Sequence, residues 1–143
     1  MRINKLSIFS IVLGALLFSC NEDEPISNSK DYEGGVLVSG EGSSAGTGSV
    51  SFVSNDVSFS EQFIFKNTNN SELGTYLQSL AFSSTNAYIS VDNQNTITVV
   101  DRYSFKEVAK ITEELETPRY MTVVGDKGYS TNWGSTLVDT DDF

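Results

Sequence analysis

Residues 80–111 of the chain read LAFSSTNAYISVDNQNTITVVDRYSFKEVAKI. This stretch contains four short runs rich in β-branched and aromatic residues, and turn-forming Ser, Asn and Asp residues separate them. The runs are Leu80–Phe82, Ala87–Asn93, Thr96–Asp101 and Glu107–Ile111. Short runs of this kind between turn residues are typical of strands that follow one another closely. The stretch therefore predicts a unit of four consecutive strands.

The first three runs of this unit recur later, as Met121–Val124, Lys127–Trp133 and Ser135–Asp139. Tyr88 and Tyr129 lie 41 residues apart, which measures the period of the repeat. Four strands repeating about every 40 residues are typical of β-propeller blades. Two earlier runs, Val36–Val38 and Val50–Val53, fit the second and third strands of a preceding unit. We therefore predict an all-β protein whose four-stranded antiparallel sheets are propeller blades, with about two and a half blades present.

The remaining stretches contain no convincing amphipathic helix. Residues 59–65 form another β-rich run, which Asn67–Asn70 should end. Residues 105–115 contain helix-forming residues, but Val108, Ile111 and Thr112 suit a strand equally well.

The amino terminus is typical of a secretory signal. Arg2 and Lys5 precede an apolar run over residues 6–18, which is too short for the roughly 20 residues of a membrane-spanning helix. Leu17-Phe18-Ser19-Cys20 then resembles the lipobox of bacterial lipoproteins. That resemblance implies that residues 1–19 are removed and that lipid on Cys20 anchors the chain to a membrane. The alternative is an ordinary secretory signal followed by an incidental cysteine.

An acidic tether follows over residues 20–33, rich in Ser and Asn and without an apolar period. Its start, Asn21–Glu24, resembles the acidic signal that directs some lipoproteins to the outer face of the outer membrane. We therefore expect an outer-membrane, cell-surface protein, although a charge run near a terminus can also be a solvated tether only.

Composition excludes several classes of function. The net charge of −10 repels phosphate backbones, so we expect no nucleic-acid partner. Since the chain has one cysteine and no histidine, it cannot form an internal disulfide, a structural zinc site or a His-based catalytic triad. We expect no cofactor and no metal.

Blade motifs occur in a fixed order along the chain. They are Gly35–Val38, Gly40–Gly42, Gly48–Phe52, Leu73-Gly74, Gln78–Leu80, Ala87–Ile89, Val99–Asp101, Pro118–Tyr120 and Asn132–Gly134. Over about residues 34–140 the series resembles the opening of the YncE-like surface β-propeller lipoproteins, a group that includes BtuG-type cobalamin-binding proteins. One departure is Ser39–Gly42, where that family usually has Asn-Glu-Gly. The motifs indicate fold more strongly than ligand.

The resemblance implies that residues 34–143 are the amino-terminal part of a seven-bladed propeller. It also implies an accessory role, in which the protein captures a nutrient, such as a corrinoid, for a TonB-dependent type of outer-membrane transporter. The alternative architecture is a small sheet that closes by oligomerising. The alternative functions are a protein- or glycan-binding scaffold or adhesin, and a propeller hydrolase such as a lactonase. We expect a binding protein rather than an enzyme.

Blade geometry predicts where a ligand would bind. Loops between strands two and three, and loops leading into strand one, emerge on the same face of a propeller. The first kind of loop should contain Glu41, Asn93, Gln94, Asn132 and Trp133, and the second kind Gln78, Arg119 and Tyr120. Amides, charges and aromatic rings that converge in this way suit a polar, ring-bearing ligand.

Each of these residues also has a purely structural interpretation. Asn93 and Asn132 could simply adopt positive φ angles in turns. Tyr120 and Trp133 could pack between blades, and Arg119 could pair with Glu116 on the surface. Asp92 and Asp101 could be imagined as a catalytic carboxylate pair. Both end strands, as Asp commonly does, so we assign them no catalytic role.

Overall fold

The computed structural model describes residues 31–134. Nine strands account for most of the regular structure: β1 Gly35–Gly40, β2 Ser49–Ser54, β3 Ser60–Glu61, β4 Leu77–Phe82, β5 Asn86–Val91, β6 Thr96–Asp101, β7 Glu107–Ile111, β8 Pro118–Val124 and β9 Lys127–Asn132. Helix α1 spans Ile64–Asn69, and a single 3₁₀ turn spans Asp92–Gln94. The prediction of an all-β protein is confirmed. The predicted signal, Cys20, most of the tether and the predicted strand Ser135–Asp139 lie outside the described residues.

The strands form three antiparallel sheets. The first has the order β1-β2-β3, the second β4-β5-β6-β7, and the third consists of β8 and β9. The second sheet is the four-strand unit predicted from residues 80–111, with each strand paired to the next one in sequence. The β8–β9 hairpin repeats its first two strands, and β8 packs beside β4 and β5. The end of β1 also contacts β4, so consecutive sheets adjoin at one side.

The prediction of a strand over residues 59–65 is wrong for most of that run. Only Ser60–Glu61 pairs with β2, and helix α1 begins at Ile64. The side chain of Asn69 stabilises a helix here in place of the predicted strand. Its Nδ2 donates to the carbonyl groups of Phe65 and Phe105, and its Oδ1 accepts a hydrogen bond from the backbone N–H of Glu107. These bonds join the helix to the second sheet, which local strand preference cannot anticipate.

Over residues 105–115, where the sequence suited a helix or a strand, the structure contains a strand, because Glu107–Ile111 forms β7. Among residues 31–134, no helix combines the length and the apolar character that a membrane span needs.

The hydrophobic core lies between the first and second sheets. The fully buried side chains of Val50 and Phe52 from β2 pack with those of Ile89 and Val91 from β5. The core also contains Tyr32, Ile64, Phe65, Leu73, Leu77, Ala87, Val100 and Phe105. Each large apolar side chain buried in this way contributes about 1.5–3 kcal/mol. This shared core fixes the relative position of the two sheets, and thereby the loops at their edges.

Candidate functional site

The ends of three strands repeat the same pattern in the three sheets. Glu41, Asp92 and Trp133 come directly after strands β1, β5 and β9. Gln78 and Arg119 are the second residues of β4 and β8, the first strands of the second and third sheets. The fold therefore places two carboxylates, an amide, a guanidinium and an indole at the beginnings or ends of strands.

The backbone at the two first strands is irregular in the same way. The pairing of β4 with β5 shifts around Gln78, and the pairing of β8 with β9 shifts around Arg119. Two residues before each of them, Tyr76 and Thr117 have φ angles of 58° and 48°. A bulge bends a strand and redirects its side chains, and such features are over-represented beside functional sites. Both side chains are thus redirected by the same local geometry.

These five side chains form one connected group, which we call the rim cluster. The Nη1 of Arg119 donates to Oε1 of Gln78 at 2.7 Å, and the Nε2 of Gln78 donates to Oε1 of Glu41 at 3.3 Å. The Nη2 of Arg119 lies 3.1 Å from Oδ2 of Asp92. The Arg119 and Asp92 side chains are only 19% and 15% exposed. This ion pair is therefore partly desolvated and less screened than a surface bridge.

The indole ring of Trp133 completes the rim cluster. The Cζ of Arg119 lies 3.7 Å from the ring centroid, a cation–π contact that fixes one face of the ring. Trp133 as a whole is 72% exposed, and its backbone N–H donates to the carbonyl of Thr117. Within residues 31–134, no other sheet covers the opposite face of this ring. Its exposed surface is available to stack on a ring.

Asn93 and Gln94 lie in the 3₁₀ turn that follows β5, next to Asp92. The side chain of Gln94 covers the backbone at Gly74, where an added Cβ would lie 2.5 Å from its Cγ. Asn93 is exposed. Neither residue has a positive φ, and in this turn Asn95 adopts that conformation instead, with φ 49°. The alternative interpretation, in which Asn93 adopts a positive φ in the turn, is therefore wrong.

Asn132 has a structural role that the sequence did not reveal. Its Oδ1 accepts a hydrogen bond from the backbone N–H of Glu116, and its Nδ2 donates to the carbonyl of Glu114. It thus holds the turn that leads into β8, and its φ is not positive. Tyr120 is 66% exposed within the described residues, and its backbone N–H donates to Oγ1 of Thr131.

The structure thus brings together four of the eight predicted site residues: Glu41, Gln78, Arg119 and Trp133. Gln78, Arg119, Tyr120 and Asn132 lie within strands rather than in the loops predicted for them, although all are near strand ends. The partner of Arg119 is Asp92 and not Glu116. Sequence reasoning left Asp92 out of the site. Its place directly after β5, equivalent to that of Glu41 after β1, was the signal that could have found it.

The rim cluster offers hydrogen-bond acceptors, one amide, one guanidinium and an indole face. Arg119 is neutralised by Asp92, so Glu41 leaves the cluster with a net negative charge. Within residues 31–134, no group of three His, Cys, Asp or Glu side chains is placed to hold a metal ion. The arrangement suits recognition by hydrogen bonding and stacking.

Comparison with protein-family models gives a match. The family model for a domain of unknown function (DUF5074) matches residues 34–143, which include every member of the rim cluster. A search of the curated proteins finds no match to this chain. Since the matched region covers well over half of the sequence, the chain belongs to the DUF5074 family.

Proposed function

We propose that this protein is a lipid-anchored binding protein of the bacterial outer-membrane surface, and that its rim cluster binds a polar, ring-bearing small molecule. The observation that carries the proposal is the bond between Gln78 and Arg119 beside the exposed ring of Trp133. Residues at equivalent positions of successive sheets thus converge on one patch. A patch built from repeated units is a usual way for a repeat protein to form a binding surface.

The proposed architecture behind this site is a β-propeller. Three features support it: the four-stranded second sheet, the β8–β9 hairpin that restarts the pattern, and the position of β8 beside β4 and β5. In this proposal the three sheets are blades of a seven-bladed propeller, and the rim cluster lies at the mouth of its channel.

The chemistry of the rim cluster favours a ligand with a planar ring and hydrogen-bond donors. A ring would stack on Trp133, and the Glu41 carboxylate would accept hydrogen bonds from hydroxyl or amide groups. Arg119 is held by Gln78 and Asp92 before any ligand arrives, so little side-chain entropy is lost on binding. A nutrient such as a corrinoid, delivered to a TonB-dependent type of transporter, meets these requirements.

A second candidate is a glycan-binding adhesin. The two exposed aromatic side chains near the rim, Tyr120 and Trp133, favour it, because exposed aromatic rings stack well on sugar rings. A glycan would bind along an open surface and would depend on Tyr120, whereas a compact nutrient would depend on Glu41 and Trp133.

Calorimetric titration of the full chain carrying Cys20→Ser, with a panel of corrinoids, haem and oligosaccharides, tests the proposed function. Trp133 is the only tryptophan, so its fluorescence reports on the same titrations. Saturable binding of one compound, with a change in emission, supports a small-molecule site. Heat and emission that stay flat across the whole panel would overturn it.

The proposed anchor is tested separately by metabolic labelling with a fatty-acid analogue. The native chain should become labelled and remain with membranes, whereas Cys20→Ser should do neither. Digestion of intact cells with a protease should remove the native chain if it is displayed on the surface. Label on the Cys20→Ser chain, or protection from the protease, would contradict the anchor or the surface location.

A further inference from the structure

The rim cluster lies at one end of the strands, and the amino-terminal segment joins the sheets at the other end. Strand β1 begins at Gly35 and ends at Gly40, directly before Glu41 of the rim cluster. Because a strand rises about 3.4 Å per residue, Gly35 lies about 17 Å from Gly40. The chain therefore enters the first sheet at the end that is remote from the rim cluster.

The turns at this remote end form a second surface, which we call the entry face. It consists of residues 32–34, 55–59, 83–85 and 102–106. Backbone hydrogen bonds connect its parts, because the N–H of Asn55 donates to the carbonyl of Gly34 and the N–H of Arg102 donates to the carbonyl of Thr85. Each of these turns lies at the opposite end of its strands from the loops of the rim cluster. The entry face and the rim cluster are therefore on opposite sides of the domain.

Tyr32 fixes the point at which the chain reaches the entry face. It is 5% exposed, and its ring packs against those of Phe52 and Phe105, with ring centroids 5.4 and 5.9 Å away. Its backbone N–H donates to the carbonyl of Tyr103 at 2.7 Å, and its hydroxyl donates to Oε2 of Glu61. A buried aromatic ring whose polar atoms are also bonded is held in one position. The residues before Tyr32 thus start from the entry face, whatever conformation they adopt.

The distance that these preceding residues can span limits how the domain can sit on a membrane. In the proposed function the anchor is lipid on Cys20, and Tyr32 follows twelve residues later. Even a fully extended chain of that length spans at most about 40 Å. To bring the rim cluster against the membrane, this segment would have to extend past the full height of the strands and their loops. An orientation with the entry face toward the membrane needs no such extension, so it costs less chain entropy.

We propose that the entry face is oriented toward the anchoring membrane and that the rim cluster faces the surrounding medium. This inference rests on the proposed function, because it requires the lipid anchor on Cys20. It deepens that function by naming the source of the ligand. The ligand is a water-soluble compound that reaches Trp133 and Glu41 from the medium, and it is not a lipid taken from the anchoring membrane.

A matched pair of serine replacements tests this orientation in membranes from cells that make the full chain. Ser43→Cys lies in the β1–β2 loop next to the rim cluster, and Ser84→Cys lies in the entry face; both serines are exposed. Lipidation consumes the thiol of Cys20, the only cysteine, so the introduced thiol alone should react with a fluorescent maleimide. Energy transfer to an acceptor dye in the membrane should be at least about twofold greater from position 84 than from position 43, since the length of a strand separates the two.

Two replacements of Tyr32, each combined with the serine pair, test the cause of the orientation. Tyr32→Phe keeps the ring packing and should keep the difference in energy transfer. Tyr32→Ala releases the entry point and should reduce that difference, with circular dichroism showing that the sheets are retained. An unchanged difference in a folded Tyr32→Ala chain would contradict the role given to Tyr32.

The number of labelled thiols separates failure of the orientation from failure of the anchor. Equal transfer from the two positions, or greater transfer from position 43, in a chain with one labelled thiol would overturn the proposed orientation and leave the anchor intact. Labelling of a second thiol, that of Cys20, together with loss of the chain from the membranes, would overturn the anchor itself and this inference with it.

Discussion

The Nη1 of Arg119 lies 2.7 Å from Oε1 of Gln78, although 41 residues separate them along the chain. The two residues hold equivalent positions in β8 and β4, so this bond connects the third sheet directly to the second. Asp92 adds an ion pair across the same junction. The rim cluster thus has two roles, because the side chains that we propose to bind ligand also fasten neighbouring sheets.

Replacing Arg119 by Ala should therefore destabilise the protein. Asp92 would keep a mostly buried carboxylate without its cationic partner, and Gln78 would lose its donor. Breaking a fully buried pair costs about 3–5 kcal/mol. At this partly exposed site we expect a loss of about 1–3 kcal/mol in the free energy of unfolding. Urea denaturation followed by circular dichroism measures it.

Two variants serve as controls for that experiment. Arg119→Lys keeps the charge but lacks the planar guanidinium that bonds two partners and stacks on Trp133. Its free energy of unfolding should therefore lie between those of the parent chain and Arg119→Ala. Lys110→Ala removes an exposed bridge to Glu107 and should change stability by less than about 0.5 kcal/mol. An Arg119→Ala chain as stable as Lys110→Ala would show that the junction does not depend on the ion pair.

Gly74 is required where the β1–β2 loop meets the second sheet. Its φ is 120°, and an added Cβ would lie 2.5 Å from Cγ of Gln94. Gly74→Ala should cost about 2–4 kcal/mol, because backbone strain adds to the clash. Gly125→Ala is a milder case, since φ there is 62°, in the left-handed region, with no atom near the added Cβ, and it should cost about 1–2 kcal/mol. Thermal unfolding compares the two, and equal losses would argue against both the greater backbone strain and the contact with Gln94 at Gly74.

The turn after β2 contains a carboxyl group with a low pKa. Hydrogen bonds from the hydroxyl groups of Ser54 and Ser58, and from the Ser58 backbone N–H, lower the pKa of Asp56 to about 2. Because this folded-state pKa lies below the unfolded value of about 3.9, Asp56 adds stability above about pH 4. That stability is lost as the pH falls through the folded-state pKa.

Carboxyl-detected NMR titration checks the Asp56 prediction. We expect a midpoint near pH 2 in the parent chain and a higher midpoint in Ser54→Ala, which removes the largest contribution. In Asp56→Asn, the decline in stability between about pH 4 and pH 2 should be smaller. A parent midpoint close to the unfolded value of about 3.9 would contradict the hydrogen-bonded turn.

The sequence predicted the second sheet well because its strands alternate with strong turn residues. Asp101, for example, ends β6 and accepts hydrogen bonds from the backbone N–H groups of Tyr103 and Ser104, as a strand-ending Asp should. The hydrogen bonds from the backbone N–H and the hydroxyl of Ser104, and then the one from Tyr103, lower the pKa of Asp101. Local sequence signals and strand pairing therefore agree in this sheet.

Helix α1 could not be predicted in the same way. Six residues are too few to show a helical period, and Ile64 and Phe65 favour strands locally. The bonds of Asn69 to residues more than 30 positions away stabilise the helix instead. The sequence did not predict the role of Asp92 for a related reason, because that role depends on a partner in another sheet. Strand ends and repeats could be identified along the chain, whereas pairings between sheets could not.

The central claim is that the rim cluster binds the ligand, and calorimetric titration of a matched pair of variants tests it most directly. The best compound of the panel would be titrated into the parent chain, Trp133→Ala and Lys110→Ala. Trp133 is largely exposed, so its replacement should leave the fold intact and yet raise Kd at least tenfold, about 1.4 kcal/mol in binding free energy. Lys110→Ala should bind as the parent does. An unchanged Kd in Trp133→Ala would contradict the claim and would place the binding site elsewhere on the protein.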